Sequence, residues 1–220
     1  MSHSGLNNYQ TIVTAIRKIT PTVSMLSFKR EWSFIAGQVV GIATKIGDNP
    51  RMYSLSSGTE DKDGEIIFDV RPEGTLTPML DKLQVGDKIL VSEPFGEFTG
   101  THDPAWWIAT GTGVAPFASM LRSGFQQHKK LIHGGKFVYS FYFEDEFKAV
   151  LNNNYIRCCT KEIRDGLYAG RVTDWIAAQK DLPADMLYYI CGTGEMVVEI
   201  RDLLITRHIP FDNIQSEIFF

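Results

Sequence analysis

Up to about residue 98 the apolar positions fall in short runs separated by turn residues. Residues 11–16, 23–29, 38–45, 51–55, 65–70 and 87–92 each read as a short strand. Gly47-Asp48-Asn49-Pro50, Asp61-Lys62-Asp63-Gly64 and Gly86-Asp87 interrupt them with turn-forming residues. Short strands punctuated this closely predict a small antiparallel barrel. One helical turn is expected after Gly74, where Thr75-Leu76-Thr77-Pro78-Met79-Leu80 offers a hydroxyl cap, a proline and apolar residues.

From about residue 105 the pattern changes to strand followed by helix, four times over. The pairs are 106–109 with 117–127, 136–143 with 147–153, 155–159 with 172–180, and 186–191 with 196–207. This alternation predicts βαβ units around a parallel sheet, a Rossmann-like arrangement. The boundary falls near residues 99–104, giving an antiparallel β-barrel domain over 1–102 and an α/β domain over 103–220.

At 220 residues and 44% hydrophobic the chain can bury a core of proper size. A net charge of −4 and a pI near 5.7 argue against the basic face of a nucleic-acid binder. Cys158, Cys159 and Cys191 are too few and wrongly spaced for a zinc or iron–sulfur site, and the five histidines show no paired spacing, so no metal is expected. An odd cysteine count with a vicinal pair points to a reducing cytoplasm. Met1-Ser2-His3-Ser4-Gly5 lacks the pattern of a secretory signal, and no run reaches the ~18 apolar residues of a membrane helix.

Several short motifs carry candidate chemistry. Gly111-Thr112-Gly113-Val114-Ala115-Pro116 follows the apolar run Trp106-Trp107-Ile108-Ala109. Glycines at that spacing let the backbone approach a phosphate, although Pro116 also suits an ordinary helix start. Arg51, Tyr53 and Ser54 read either as an exposed Arg and half-buried Tyr on a strand, or as a flavin site. In the second reading the guanidinium meets a pyrophosphate, the phenol ring lies against isoalloxazine or ribose, and the serine reaches the N5 edge. The turn Gly74-Thr75-Leu76-Thr77 offers N–H groups and hydroxyls to a phosphate, or simply caps a helix. If Arg51 and this turn face one diphosphate, FAD rather than FMN explains both.

Cys191-Gly192-Thr193-Gly194-Glu195-Met196 ends one strand and opens a helix, at the sheet edge where α/β proteins bind ligands. Its thiol either positions a nicotinamide ring or is an inert buried cysteine. Thr160, Lys161 and Arg171 form a basic set suited to the 2′-phosphate of NADP, or are ordinary surface charges that leave NAD possible. The segment Ser216-Glu217-Ile218-Phe219-Phe220 places two aromatics for docking into core or onto a flat ligand.

Taken together and in this order, these segments resemble the ferredoxin–NADP⁺ reductase family of flavoproteins, most closely its compact bacterial ferredoxin/flavodoxin reductases. The resemblance begins at Ala36-Gly37-Gln38, similar to the family's Pro-Gly-Gln, and runs to the terminal aromatics. It implies that the barrel binds FAD and the α/β domain NAD(P). Arg51, Met52, Tyr53 and Ser54 would bind FAD, Phe68, Asp69 and Val70 would line the flavin, and Gly74, Thr75, Leu76 and Thr77 its pyrophosphate. Gly86-Asp87 and Pro94-Phe95-Gly96-Glu97-Phe98 look like the family's closing segment of the barrel. Thr110, Gly111, Thr112, Gly113, Val114 and Pro116 would hold the nicotinamide dinucleotide with Cys191, Gly192, Thr193, Glu195 and Met196. Thr160, Lys161 and Arg171 would take the 2′-phosphate, and Phe219, with Phe220 after it, would shield the flavin ring.

The activity implied is exchange of a hydride between NADP(H) and FAD and of single electrons with ferredoxin or flavodoxin. Ser54, Cys191, Glu217 and Phe219 would take the catalytic positions. Three departures stand out. Ser140-Phe141-Tyr142-Phe143 occurs where the family often has Gly-x-Arg after its second nucleotide-domain strand. Thr160-Lys161 replaces a Ser-Arg pair, and the shielding aromatic is Phe rather than the Tyr of plant relatives. A reductase component of an oxygenase or other electron-transfer chain is the second reading, and a flavin-free binding module the third.

Overall fold

The computed structural model describes residues 8–219. The readings made on the first five residues and on Phe220 lie outside them. The chain divides into two compact units. One holds the described residues up to Gly100 together with Ala115–Ser123, and the other holds Thr101–Val114 and Gly124 onward.

The first unit is an antiparallel barrel of six strands. These are β1 (Asn8–Lys18), β2 (Val23–Lys29), β3 (Val39–Ala43), β4 (Arg51–Ser54), β5 (Asp63–Asp69) and β6 (Lys88–Ser92), in the order β4-β3-β6-β1-β2-β5. Alternation along the strands sends Val13, Leu26, Phe28, Val40, Ile42, Ile66, Phe68, Ile89 and Val91 into one core. β4 and β5 meet at the seam, where Ser56 N donates to Glu65 O at 2.7 Å and the Tyr53 and Phe68 rings touch edge to face. The short helix α1 (Thr77–Leu80) follows β5, with Leu80 in the core. Its expected hydroxyl cap is absent, because Thr77 Oγ1 accepts instead from Arg71 N at 3.0 Å.

Helix α2 (Ala115–Arg122) packs with this unit, although the sequence boundary left it in the second half. Seven of its eight residues are buried. Phe117 meets Phe98, and the Arg122 guanidinium donates to Glu65 Oε1 at 2.7 Å and Ser56 O at 2.9 Å.

The second unit is a six-stranded parallel sheet, ordered β10-β9-β8-β7-β11-β12. Its strands are β7 (Ala105–Thr110), β8 (Lys129–Gly135), β9 (Tyr155–Cys159), β10 (Tyr168–Ala169), β11 (Leu187–Thr193) and β12 (Ile214–Phe219). Helices α3 (Glu144–Leu151), α4 (Val172–Ala177) and α5 (Gly194–Thr206) lie in the crossovers, and the central strands β7 and β11 read as near-continuous apolar runs because both faces are covered. No helix among the described residues is long and apolar enough to cross a membrane.

Three elements differ from the sequence pattern, the two-residue strand β10 being one that it did not suggest. The second strand is β8 over Lys129–Gly135, not residues 136–143, which instead form a loop with one 3₁₀ turn, Val138–Ser140. The basic start of β8 hides it: Lys129 is buried, with Nζ donating to the carbonyls of Asp103 and Gln127. The last six described residues add an edge strand, β12, where the sequence suggested only docking of aromatics.

His133 in β8 is fully buried, with Nδ1 3.0 Å from the Tyr155 hydroxyl and Nε2 without a partner among the described residues. Burial holds its pKa down at about 3. An unfolded chain takes up a proton near pH 6.5 that the folded one refuses, so this group removes about 1.4 kcal/mol of stability per pH unit on acidification through that window. Replacing His133→Gln is expected to flatten the fall in the urea midpoint between about pH 6.5 and 4.5. Parallel slopes for the two proteins would overturn this.

Candidate active site

In the barrel, β4 and the β5–α1 loop converge on one pocket of about 430 Å³. Ala43, Lys45, Asp48, Asn49, Arg51, Thr75, Leu76 and Met79 line it. Arg51 and the Gly74–Thr77 turn therefore share one cavity, the condition under which the sequence pointed to a diphosphate. No described residue accepts a hydrogen bond from the backbone N–H groups of Thr75 and Leu76. Among the described residues none forms an ion pair with Lys45, Arg51 or Arg71. Unpaired cations and free N–H groups around one cavity fit an anionic ligand carrying a diphosphate.

Tyr53 stands beside this cradle, half-buried between strands. Burial pushes its hydroxyl up to about 12 against the opposing pull of Arg51 and Arg71, so it stays a neutral donor. Ser54 is buried at 2% exposure, Met52 is half-buried and Asp69 exposed. Phe68 is a core side chain, and Val70 packs against the same core. Lys45 and Arg71 did not stand out in the sequence, since only folding brings them beside Arg51 and Tyr53.

In the second unit the glycine turn and the Cys191 segment lie against each other. A Cβ on Gly113 would sit 2.4 Å from Cys191 O, and one on Gly192 would sit 2.3 Å from Thr110 Oγ1. Side chains at either position would force the two segments apart. Gly111 takes a φ of +56° with open space beyond it, and the buried Thr110 Oγ1 has no hydrogen-bond partner among the described residues. An orphaned hydroxyl beside glycine-lined backbone fits a polar ligand at the carboxyl ends of β7 and β11. Thr112 is half-buried, Thr193 and Glu195 are exposed, and Val114, Pro116 and Met196 are buried.

Register fixes the C-terminal candidates. Parallel pairing sets Glu217 opposite Cys191 and Phe219 opposite Thr193, so all four side chains share one face. Cys191 Sγ lies 4.0 Å from Glu217 Oε2.

Ends of three neighbouring strands gather the basic set. Thr160 N donates to Gly135 O, Lys161 N to Lys136 O, and Gly170 N to Cys159 O. With β8 ending at Gly135, Gly134-Gly135-Lys136 stands where a Gly-x-Arg was expected, which corrects the apparent loss of a cation there. Lys136 and Lys161 are exposed, and among the described residues neither forms an ion pair. Arg171 differs: its guanidinium pairs with Glu199 at 2.7 Å, and its backbone N–H is capped by Asp174.

All three cysteines are free and buried. Burial first, then the neighbouring Glu217 carboxylate, raises Cys191 well above the usual thiol range, so it stays protonated at neutral pH. A thiol-reactive aromatic disulfide reagent is expected to leave the native protein unmodified and to titrate three thiols only after denaturation. Rapid native reaction at Cys191 would contradict this packing.

The family model for the oxidoreductase NAD-binding domain matches residues 107–202. Ferredoxin–NADP reductase B of Sorangium cellulosum is 30% identical over 89% of this chain and 90% of its own length. The toluate 1,2-dioxygenase electron transfer component of Pseudomonas putida is 28% identical over 96% of this chain and 67% of its own. In structure, a ferredoxin NADP⁺ reductase from Neisseria gonorrhoeae, solved with bound FAD and NADP, superposes with a TM-score of 0.85 at 22% identity, over 97% of this chain and 99% of that one. Sequence and architecture agree that the chain belongs to the ferredoxin–NADP reductase family.

Proposed function

We propose that this protein is a cytoplasmic FAD-dependent reductase that exchanges hydride with NADP(H) and single electrons with ferredoxin or flavodoxin. The observation that carries this reading is the pocket uniting Lys45 and Arg51, neither ion-paired among the described residues, with the Thr75–Leu76 backbone. A diphosphate there meets two cations that have no ion-pair partner among the described residues. Bound FAD supplies the chemistry that side chains lack, accepting two electrons together and releasing them singly.

The chain's own residues bind and orient. Arg51, Lys45 and the 74–77 turn hold the diphosphate, Tyr53 offers a ring and a neutral hydroxyl, and Ser54 a hydroxyl beside it. Thr110 to Val114 and Gly192 form a close-fitting backbone wall for the nicotinamide dinucleotide. Cys191 keeps a proton on Sγ and presents a small neutral group there, with Glu217 at 4.0 Å as the adjacent proton acceptor. Phe219 offers a flat apolar face for a ring system. Lys136 and Lys161 favour NADPH over NADH, while Glu199 diverts Arg171 from that task. A second reading, electron supply to an oxygenase, draws support from the match of the Pseudomonas putida dioxygenase component over 96% of the chain.

Anaerobic mixing of the FAD-loaded protein with NADPH or NADH in a stopped-flow instrument tests the activity. Fast loss of flavin absorbance with NADPH and slower loss with NADH is expected, and no loss with either removes hydride transfer from the account. Replacing Arg51→Ala is expected to weaken FAD binding about 10- to 100-fold, the worth of a charge-assisted hydrogen bond. Unchanged affinity in a fluorescence titration would remove the diphosphate cradle.

A further inference from the structure

The loop 136–140 between β8 and α3 has little structure of its own. Phe137 N reaches Ser140 Oγ at 3.3 Å within it, and the 3₁₀ turn adds one internal backbone bond, Ser140 N to Phe137 O. Phe141 N donates to Val138 O at 3.4 Å and the Phe137 and Tyr139 rings stack, and the other anchors come from the end of β9 and the stretch after it. Val138 N donates to Glu162 Oε2 at 2.8 Å, the Cys159 thiol to Lys136 O at 3.3 Å, and Lys161 N to the same carbonyl at 3.0 Å. Lys136 O thus accepts two bonds while its ammonium stays exposed.

Charge alone would make Glu162 a poor neighbour for this site. Its carboxylate follows Lys161 directly and its Oε2 contacts the loop of Lys136, so it opposes any phosphate that the two lysines attract. Its position is explained by what it holds, because without it the Val138 N–H has no acceptor and the loop loses its one ionised anchor. Cys159, at 1% exposure, has a matching part from beneath: its thiol fixes the carbonyl of Lys136 itself.

We propose that Glu162 and Cys159 are positioning residues that hold Lys136 beside Lys161, and that through this pair they set the preference for a nucleotide carrying a 2′-phosphate. The inference rests on the reading of Lys136 and Lys161 as phosphate ligands. It adds that the order of the loop outweighs the repulsion of the carboxylate.

Calorimetric titration with adenosine 2′,5′-bisphosphate and with 5′-AMP tests it on the intact chain, alongside KM and kcat for NADPH and NADH. Glu162→Ala is expected to weaken the bisphosphate, and raise KM for NADPH, about 5- to 10-fold, with 5′-AMP affinity, KM for NADH and kcat held within about twofold. Glu162→Gln keeps an acceptor oxygen and loses the charge, so it is expected to restore binding to the parent level or better. Cys159→Ala is expected to weaken the bisphosphate about 2- to 3-fold and Cys159→Ser, which keeps the donor, to recover it. Unchanged or tighter bisphosphate binding by Glu162→Ala overturns the proposal in favour of simple repulsion. Equal losses toward both ligands overturn it in favour of general loop damage. If Lys136→Ala and Lys161→Ala in the parent background leave bisphosphate binding unchanged, the phosphate reading itself fails, and the proposal fails with it for that separate reason.

Discussion

Uncompensated positive charge in an acidic protein is the constraint around which both candidate sites are built. The chain carries 26 acidic and 22 basic residues, enough carboxylates to neutralise every cation. Yet Lys45, Arg51 and Arg71 in the barrel, and Lys136 and Lys161 in the α/β unit, have no ion-pair partner among the described residues. Other cations are engaged, among them Arg122 with Glu65, Arg157 with Glu144, and Lys129 with two backbone carbonyls, whereas Lys62, Lys82, Lys88, Arg164 and Lys180 stand in no ion pair among the described residues and line no pocket described above. A charge left unpaired at a pocket keeps its interaction free energy for a ligand, whereas a structural pair has already used it.

Glycine does complementary work in the second unit. Anion recognition by backbone requires that nothing stand between N–H and ligand, and that the strands carrying the turns approach closely. Gly113 and Gly192 meet the second demand, because Cβ atoms there would overlap Cys191 O and Thr110 Oγ1. The buried face of the sheet tolerates few polar groups, so those remaining are informative. His133 is kept neutral by burial, Cys191 is kept protonated, and the Thr110 hydroxyl has no partner among the described residues.

Much of this was legible along the chain. The short strands of the barrel, the Arg51-to-Ser54 segment, the glycine turn and the Cys191 segment are local patterns, and local patterns depend on residues a few positions apart. β8 was not legible: Lys129, Lys130, His133 and two glycines make a poor strand by propensity. Its position between β7 and β9 and the carbonyl partners of Lys129 make it one regardless. Misplacing that strand also hid Lys136, since a motif defined by distance from a strand end moves with the strand.

The sequence by itself determined the two-part architecture, the barrel and parallel-sheet classes, and the identity of the short motifs, because hydrophobic period and turn chemistry are written within a few residues. Only the tertiary structure decided which motifs share a cavity. It put Arg51 beside Thr75, Arg71 near Tyr53, Lys136 beside Lys161 and Glu217 across from Cys191. Electrostatics and ligand binding depend on distances through space, and residues 18 or more positions apart become neighbours only when strands pair and the core closes.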